Sequence, residues 1–174
     1  MMTDNRGIVF GATGAFYRNL ARRAARNLRA AMPDVAIDLY SDAHIEDPVF
    51  DQIHLLSGPT RRPKMEALER ARFHRAIWLD CDAVVLNDLS DVFAVLERFD
   101  IVGAHEQFGS APVSMQVLDY EIPHAFRQIN SGVLGVRRTP EVLNFLRLWR
   151  EEFEDRNLQY DQPLLRRLLW ESDL

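Results

Sequence analysis

Cysteine is almost missing from this chain: Cys81 is the only one in 174 residues. A single thiol excludes an internal disulfide and any cysteine-built zinc site. Lysine is equally scarce, with Lys64 alone, so nearly all positive charge is arginine. No apolar run approaches the ~20 residues of a membrane span, and the opening Met1-Met2-Thr3-Asp4-Asn5-Arg6-Gly7 has no apolar signal core. The expectation is a cytoplasmic protein with no transmembrane segment, although peripheral membrane contact stays open. An excess of positive charge is missing too. A net charge of −5 and a pI near 5.5 argue against a nucleic-acid partner. An anionic ligand would need a cation or local arginines to mediate its binding. What remains is 47% hydrophobic and 27% charged, the composition of one globular domain with one real core. No internal repeat or low-complexity linker divides residues 1–174.

Within that ordinary composition, Ala76-Ile77-Trp78-Leu79-Asp80-Cys81-Asp82 stands out. Four apolar residues run into two aspartates. The run is short and bounded by charge, which reads as a buried strand. Residues two apart on a strand point to one side, so Asp80 and Asp82 are expected to aim two carboxylates at one point. In open α/β sheets the strand's C-terminal end is where ligands bind. Converging carboxylates repel unless a cation or a shared proton lies between them, and oxygen ligands favour Mg²⁺ or Mn²⁺ completed by phosphate oxygens and water. The competing explanation is a capped turn with one solvated aspartate. Cys81 points to the opposite side of the strand and reads as core.

The rest of the chain alternates strands and helices. Gly7–Phe10 reads as a strand, and Gly11-Ala12-Thr13-Gly14 as a tight turn into a helix with Phe16, Leu20, Ala24 and Leu28 on one face. Val35–Tyr40 is a second strand ending at Ser41-Asp42, and Ile53–Leu56 a short apolar piece. Arg61–Phe73 looks helical. Ser90 can cap a helix through Leu96, and Asp100–Ala104 is a strand. Residues 106–127 have no clean period, a length that often marks a functional loop. Gln128–Val136 is a strand interrupted by Asn130-Ser131-Gly132. Thr139-Pro140 opens a helix through Phe153, and Asp161 caps a last helix, Gln162–Trp170. This alternation predicts an α/β domain with a mostly parallel central sheet and helices on both faces.

Three chemistries compete for these residues. The turn Val9–Tyr17 resembles the phosphate loop of extended short-chain dehydrogenases, but the third glycine would fall at Tyr17. The Tyr-x-x-x-Lys pair of that family is also impossible, because Thr60 lies four before the only lysine. Asp80-Cys81-Asp82-Ala83-Val84 resembles the first motif of haloacid-dehalogenase-like phosphatases, with Asp80 as nucleophile and Asp82 as acid. No later lysine and no Gly-Asp-x-x-x-Asp follow it, which leaves this reading as the alternative. The third resemblance covers most of the chain. Trp78–Asp88 resembles the Asp-x-Asp strand of GT-A glycosyltransferases, particularly the family 8-like nucleotide-diphospho-sugar transferases. Asn130–Val136 resembles that family's Asn-(Ser/Ala)-Gly strand, and Tyr160–Leu165 its Asp-Gln helix start.

That resemblance implies a GT-A, Rossmann-like fold and a hexosyltransferase-type enzyme. It implies a nucleotide-sugar donor, UDP-sugars foremost, an unidentified acceptor, and Mn²⁺ or Mg²⁺. Asp82 would bind the metal, and Asp80 the ribose, the metal or both. Ala12, Thr13 and Tyr17 would meet the nucleoside, with helix packing an equal account of Tyr17. Lys64 would touch donor phosphate or simply be exposed, and Asp42 would contact the base or cap a turn. Asn130 and Ser131 would face the sugar or acceptor, with Gly132 allowing close backbone approach. Asp161 would hold sugar hydroxyls and Gln162 would lie near the anomeric carbon. A bulge with a satisfied asparagine, and a helix cap at Asp161, are the structural alternatives. The transfer would be retaining; an inverting one would need a base such as Glu106, Asp119 or Asp161. His105 and His124 are candidate site residues, and Phe108, Met115, Tyr120 and Phe126 a candidate acceptor surface or a loop core. The family supplies a third metal ligand, a histidine, near its C-terminus, whereas no histidine follows His124 here. A shortened domain, or a non-catalytic nucleotide-sugar-binding module, is therefore a further expectation.

Overall fold

The computed structural model describes residues 5–106 and 121–174. The order of elements is β1 (Arg6–Ala12), α1 (Gly14–Ala31), β2 (Ala36–Ser41), β3 (Gln52–Leu55), α2 (Lys64–Arg70), β4 (Arg75–Leu79), α3 (Ser90–Val95), β5 (Ile101–His105), β6 (Ile129–Arg137), α4 (Pro140–Asp155) and α5 (Gln162–Glu171). The strands form one sheet in the order β3-β2-β1-β4-β6-β5. β1 pairs parallel with β2 and β4, and β2 with β3; β6 runs antiparallel to both β4 and β5. The expected mostly parallel α/β sheet is present, with one reversed strand inserted beside the Asp-x-Asp strand.

Alternation along the central strands divides the core into two layers. Ile8, Phe10, Ile37, Leu39, Ile77 and Leu79 point to α1 and α3, where Ala21, Ala24, Ala25, Leu28 and Phe93 meet them. Val9, Ala76, Trp78, Leu134 and Val136 point to α2, α4 and α5, where Met65, Leu68, Phe145, Trp149 and Leu164 meet them. Small alanines form the packed face of α1, while Trp149, fully buried on α4, fills the opposite layer. The chain leaves β1 toward β2 and β3, then returns through α2 to β4 on the other side of β1. The C-terminal ends of β1 and β4 thus flank a switch point, the usual ligand crevice of open α/β sheets.

Four local expectations change. Phe16 is 69% exposed, not core, because the packed face of α1 begins at Leu20 and Ala21. The helix expected over residues 61–73 is confined to Lys64–Arg70; a proline disfavours helical backbone in the residue before it, and Pro63 keeps Arg62 out. Ser90 is the first residue of α3, not its cap, and the terminal Ser90 N–H goes to Asp88 Oδ1 at 2.6 Å. β6 is continuous through Asn130-Ser131-Gly132. The irregularity lies in its pairing with β5, where Gly103 faces Leu134 but His105 faces Ile129. Thr139 caps α4 as expected, accepting from Val142 N at 3.3 Å with Pro140 in the first turn.

Candidate functional site

The switch point opens into a cleft of about 510 Å³ lined by Gly11, Thr13, Tyr17, Arg61, Arg62, Pro63, Lys64, Trp78, Asp80, Cys81, Asp82 and Gln159. Its floor is set by close packing. A Cβ at Gly11 would come within 2.7 Å of the Trp78 ring and 2.8 Å of Pro63, so only glycine lets the indole lie across β1. The Trp78 Nε1 donates to Asp80 Oδ1 at 2.6 Å. That bond fixes the first aspartate on the α2 side of the sheet, the side Trp78 itself occupies. Cys81 packs on the other side, in the α1 layer, as the alternation predicted. Burial pushes its thiol up to about 11, helped by the charges of Asp82 and Asp80, so it stays an unreactive thiol at neutral pH.

β4 ends at Leu79, and Asp80 and Asp82 occupy the turn after it, closed by Ala83 N donating to Asp80 O at 2.9 Å. The straight strand expected to carry both aspartates therefore gives way to a turn, although both still line the cleft. Asp82 is exposed, while Asp80 is half-buried. Among the described residues no group of three or more histidine, cysteine, aspartate or glutamate side chains gathers to hold a metal. Two carboxylates suit a hard cation that arrives with phosphate oxygens and keeps its waters, rather than one held in an all-protein cage.

Behind the cleft wall lies a buried polar cluster joining segments far apart in sequence. Lys64 is 3% exposed, which rules out the exposed lysine as its explanation. Its Nζ donates to Ser131 Oγ at 2.7 Å and Asp161 Oδ2 at 3.0 Å, and lies 3.5 Å from Asp80 Oδ1. Ser131 Oγ also donates to Asp161 Oδ2 at 2.9 Å. Asp161 stands at the head of α5, yet its side chain takes no N–H of that helix. It is 4% exposed and serves the lysine instead, so helix capping does not explain it. Burial alone would raise the Asp161 pKa; the charge and hydrogen bond of Lys64, then Arg62 and Ser131, outweigh it and hold the carboxyl below its usual range. An ammonium this buried is tolerated because each neighbour is an acceptor.

The amides interlock beside this cluster. Gln162 Oε1 accepts from Ser131 N at 2.9 Å, and Asn130 Oδ1 from Gly132 N at 2.8 Å. Both NH₂ groups then donate to Glu106 Oε2, at 3.1 Å from Gln162 and 2.9 Å from Asn130. The asparagine is thus satisfied where the pairing of β6 with β5 is irregular, as the bulge alternative required, and it also orients a carboxylate. Gly132 allows close approach: a Cβ there would come within 3.1 Å of Asp80 Oδ2.

On the opposite side, Ala12 is buried in the α1 layer and is not among the residues lining the cleft. Tyr17 is 51% exposed and stands edge-on to Phe16, with ring centroids 5.4 Å apart. Packing in the core does not account for it. Asp42 is engaged by its own chain, accepting from Gly14 N at 2.8 Å and Arg18 Nη1 at 2.5 Å. Slight burial would raise its pKa, but the Gly14 N–H and Arg18 hold it below the usual carboxylate range. The α1 N-terminus, a ready anion site in principle, is therefore already closed by an internal carboxylate.

His105 and His124 are exposed and absent from the cleft wall. Phe126 packs edge-on against Trp170 of α5, with ring centroids 5.3 Å apart. Phe108, Met115, Asp119 and Tyr120 lie outside the described residues. Sequence reasoning overlooked Arg61, Arg62 and Gln159 as cleft residues; the run Arg61-Arg62-Pro63-Lys64 in an acidic chain was the available signal.

No protein-family model and no curated protein sequence matches the chain. Solved structures do match its fold. The glycosyltransferase GlyE of Streptococcus pneumoniae TIGR4 superposes with a TM-score of 0.70 at 18% identity, over 95% of this chain and 43% of that one. The galactosyltransferase LgtC, solved with donor and acceptor sugar analogs, gives 0.56 at 20% identity over 91% and 69%. The 2-C-methyl-D-erythritol 4-phosphate cytidylyltransferase of Thermus thermophilus gives 0.53 at 14% identity over 99% and 87%. This chain spans less than half the length of GlyE. Its fold is the GT-A fold that the ordered motifs implied.

Proposed function

We propose that this chain is a glycosyltransferase domain that moves a sugar from a nucleotide-diphospho-sugar, a UDP-sugar in the first instance, to an acceptor. The observation that carries the reading is convergence. The Asp80 turn, the Asn130-Ser131-Gly132 strand and the Asp161-Gln162 helix start meet through one buried ammonium, Lys64, beside a single cleft. The GT-A fold and its glycosyltransferase neighbours support the same reading.

In this reading the nucleoside lies along the Thr13 and Tyr17 wall, with the Ala12 backbone beneath it. Asp80 and Asp82 hold the ribose and a divalent cation, Mn²⁺ or Mg²⁺. When bound, that cation supplies Lewis-acid stabilisation of the departing diphosphate, worth several kcal/mol in general. The chain's own residues do the rest. Lys64 keeps positive charge beneath the leaving group. Asp161, too buried to be a first contact, positions Lys64 and Ser131. Gln162 spends its carbonyl oxygen on Ser131 N–H and presents its NH₂ toward Glu106, so Glu106 is the carboxylate held on the Asn130 and Gln162 side. Retention of configuration is the outcome this reading carries. The phosphohydrolase alternative is disfavoured, because no lysine follows the motif and the only one, Lys64, is committed to Ser131 and Asp161.

A panel of nucleotide sugars tests it, by thermal shift and nucleotide release with Mn²⁺ and then with EDTA. A donor-specific shift with metal-dependent release is expected. No binding and no release with any donor sinks the reading. Hydrolysis of phosphate monoesters lost in Asp80→Asn favours the phosphohydrolase, and tight donor binding without turnover favours a binding module.

A further inference from the structure

In this acidic chain many arginines are matched closely to carboxylates: Arg18 to Asp42, Arg26 to Asp47, Arg72 to Asp38, Arg137 to Asp100, Arg150 to Glu69. Arg61 and Arg62 line the cleft, and their contacts are longer than these. Among the described residues, Arg61 Nη2 reaches the amide oxygen of Asn157, at 3.3 Å. Arg62 Nη2 reaches the Gln159 carbonyl at 3.3 Å, and its Nε lies 3.7 Å from Asp161 Oδ1. Asp161 is already committed to Lys64 and Ser131 through its other oxygen. Two guanidinium groups thus stand on one wall with long bonds to mostly neutral acceptors. Charge-assisted, bidentate bonds to an oxyanion are shorter and about twice as strong as neutral ones.

We infer that Arg61 and Arg62 form a guanidinium clamp for the diphosphate of the ligand, gripping it from the loop between β3 and α2 without help from a metal. This rests on the nucleotide-sugar reading of the cleft and extends it to the residues that take the anion. The other anion site at hand, the α1 N-terminus, is filled by Asp42. Lys64 is filled by Ser131 and Asp161. The arginines are the cations whose present partners a phosphate can outcompete. Binding would release Arg61 from Asn157 and Arg62 from Gln159, freeing the linker between α4 and α5 as the anion seats.

The test measures affinity for UDP, uridine and inorganic pyrophosphate, in EDTA and in Mn²⁺, for the intact chain and for Arg61→Gln, Arg62→Gln and Arg62→Lys. The clamp predicts UDP and pyrophosphate binding in EDTA. It predicts a loss of tenfold or more for UDP in Arg62→Gln, a smaller loss in Arg61→Gln, partial retention in Arg62→Lys, and unchanged uridine affinity throughout. Unchanged UDP affinity in both glutamine variants overturns it. So does an equal loss of UDP and uridine, which marks a merely structural role, or an intact chain that binds neither anion in EDTA. Arginine-dependent pyrophosphate binding with no preference for UDP keeps the clamp and sinks the nucleotide-sugar reading.

Discussion

The two walls of the cleft handle charge in opposite ways. At the head of α1, Asp42, Gly14 and Arg18 satisfy one another at an exposed surface. At the head of α2, Lys64 is sunk among Asp80, Asp161 and Ser131, and that group is tied on through Gln162 to Glu106. Both are helix N-termini beside the same ligand space, yet one is electrostatically shut and the other is built around a cation. A surface pair trades protein contacts for water at little net gain, whereas a buried pair fails steeply when one member is removed. In the proposed reading, a ligand's anionic part is turned away from α1 and toward the basic loop before α2.

Lys64→Met breaks this contrast most directly. It strands Asp161 and should reduce unfolding free energy by about 3–5 kcal/mol, measured by urea denaturation; a loss comparable to that of a surface pair would show that the cluster is not interlocked. Next comes Asp82→Asn. Asp82 is exposed and outside the buried cluster, so stability should hold while Mn²⁺-dependent donor turnover falls about 100-fold, equivalent to about 2.7 kcal/mol. Gly11→Ala pushes a Cβ into Trp78 and Pro63, an overpacking of about 1–3 kcal/mol, with weaker donor binding as the indole leaves Asp80. Acid titration sharpens the comparison further. The folded Asp161 pKa is depressed, so its contribution is fully present above the unfolded value, ~3.9, and is lost as pH falls through the folded value. Asp161→Asn should flatten the acid limb of stability below about pH 4. Smallest is Asp42→Asn, which should change stability by less than about 1 kcal/mol and leave nucleotide affinity nearly unchanged.

Much of the architecture was legible locally. Apolar runs marked β1, β2 and β4, and Thr139-Pro140 marked the start of α4, because strand burial and first-turn chemistry are written in neighbouring residues. The direction of β6 was not, since nothing in Ile129–Arg137 says which way its partner runs. Asp161 read as a cap because an aspartate before a helix usually is one; a lysine 97 residues away claimed its carboxylate instead. Lys64 read as a donor-phosphate contact or an exposed lysine, because nothing in its neighbours announces a buried partner. The fold brings the three motifs together, while the burial of Lys64 and Asp161 comes from contacts across the chain. Arg61 and Arg62 went unremarked because what sets them apart is a place on the cleft wall with long contacts, and that is decided by the fold.

The contact between Trp78 and Asp80 gives the cleft an optical gauge of its own. Of the three tryptophans, Trp149 is sealed in the core and Trp170 lies at the outer end of α5. Only the Trp78 indole lines the cleft, hydrogen-bonded to one aspartate and 5.6 Å from the Lys64 ammonium. Any occupant that alters the field around that pair will shift its emission. The unlabelled protein can therefore signal ligand arrival in real time, and Trp78→Phe identifies the source of the signal.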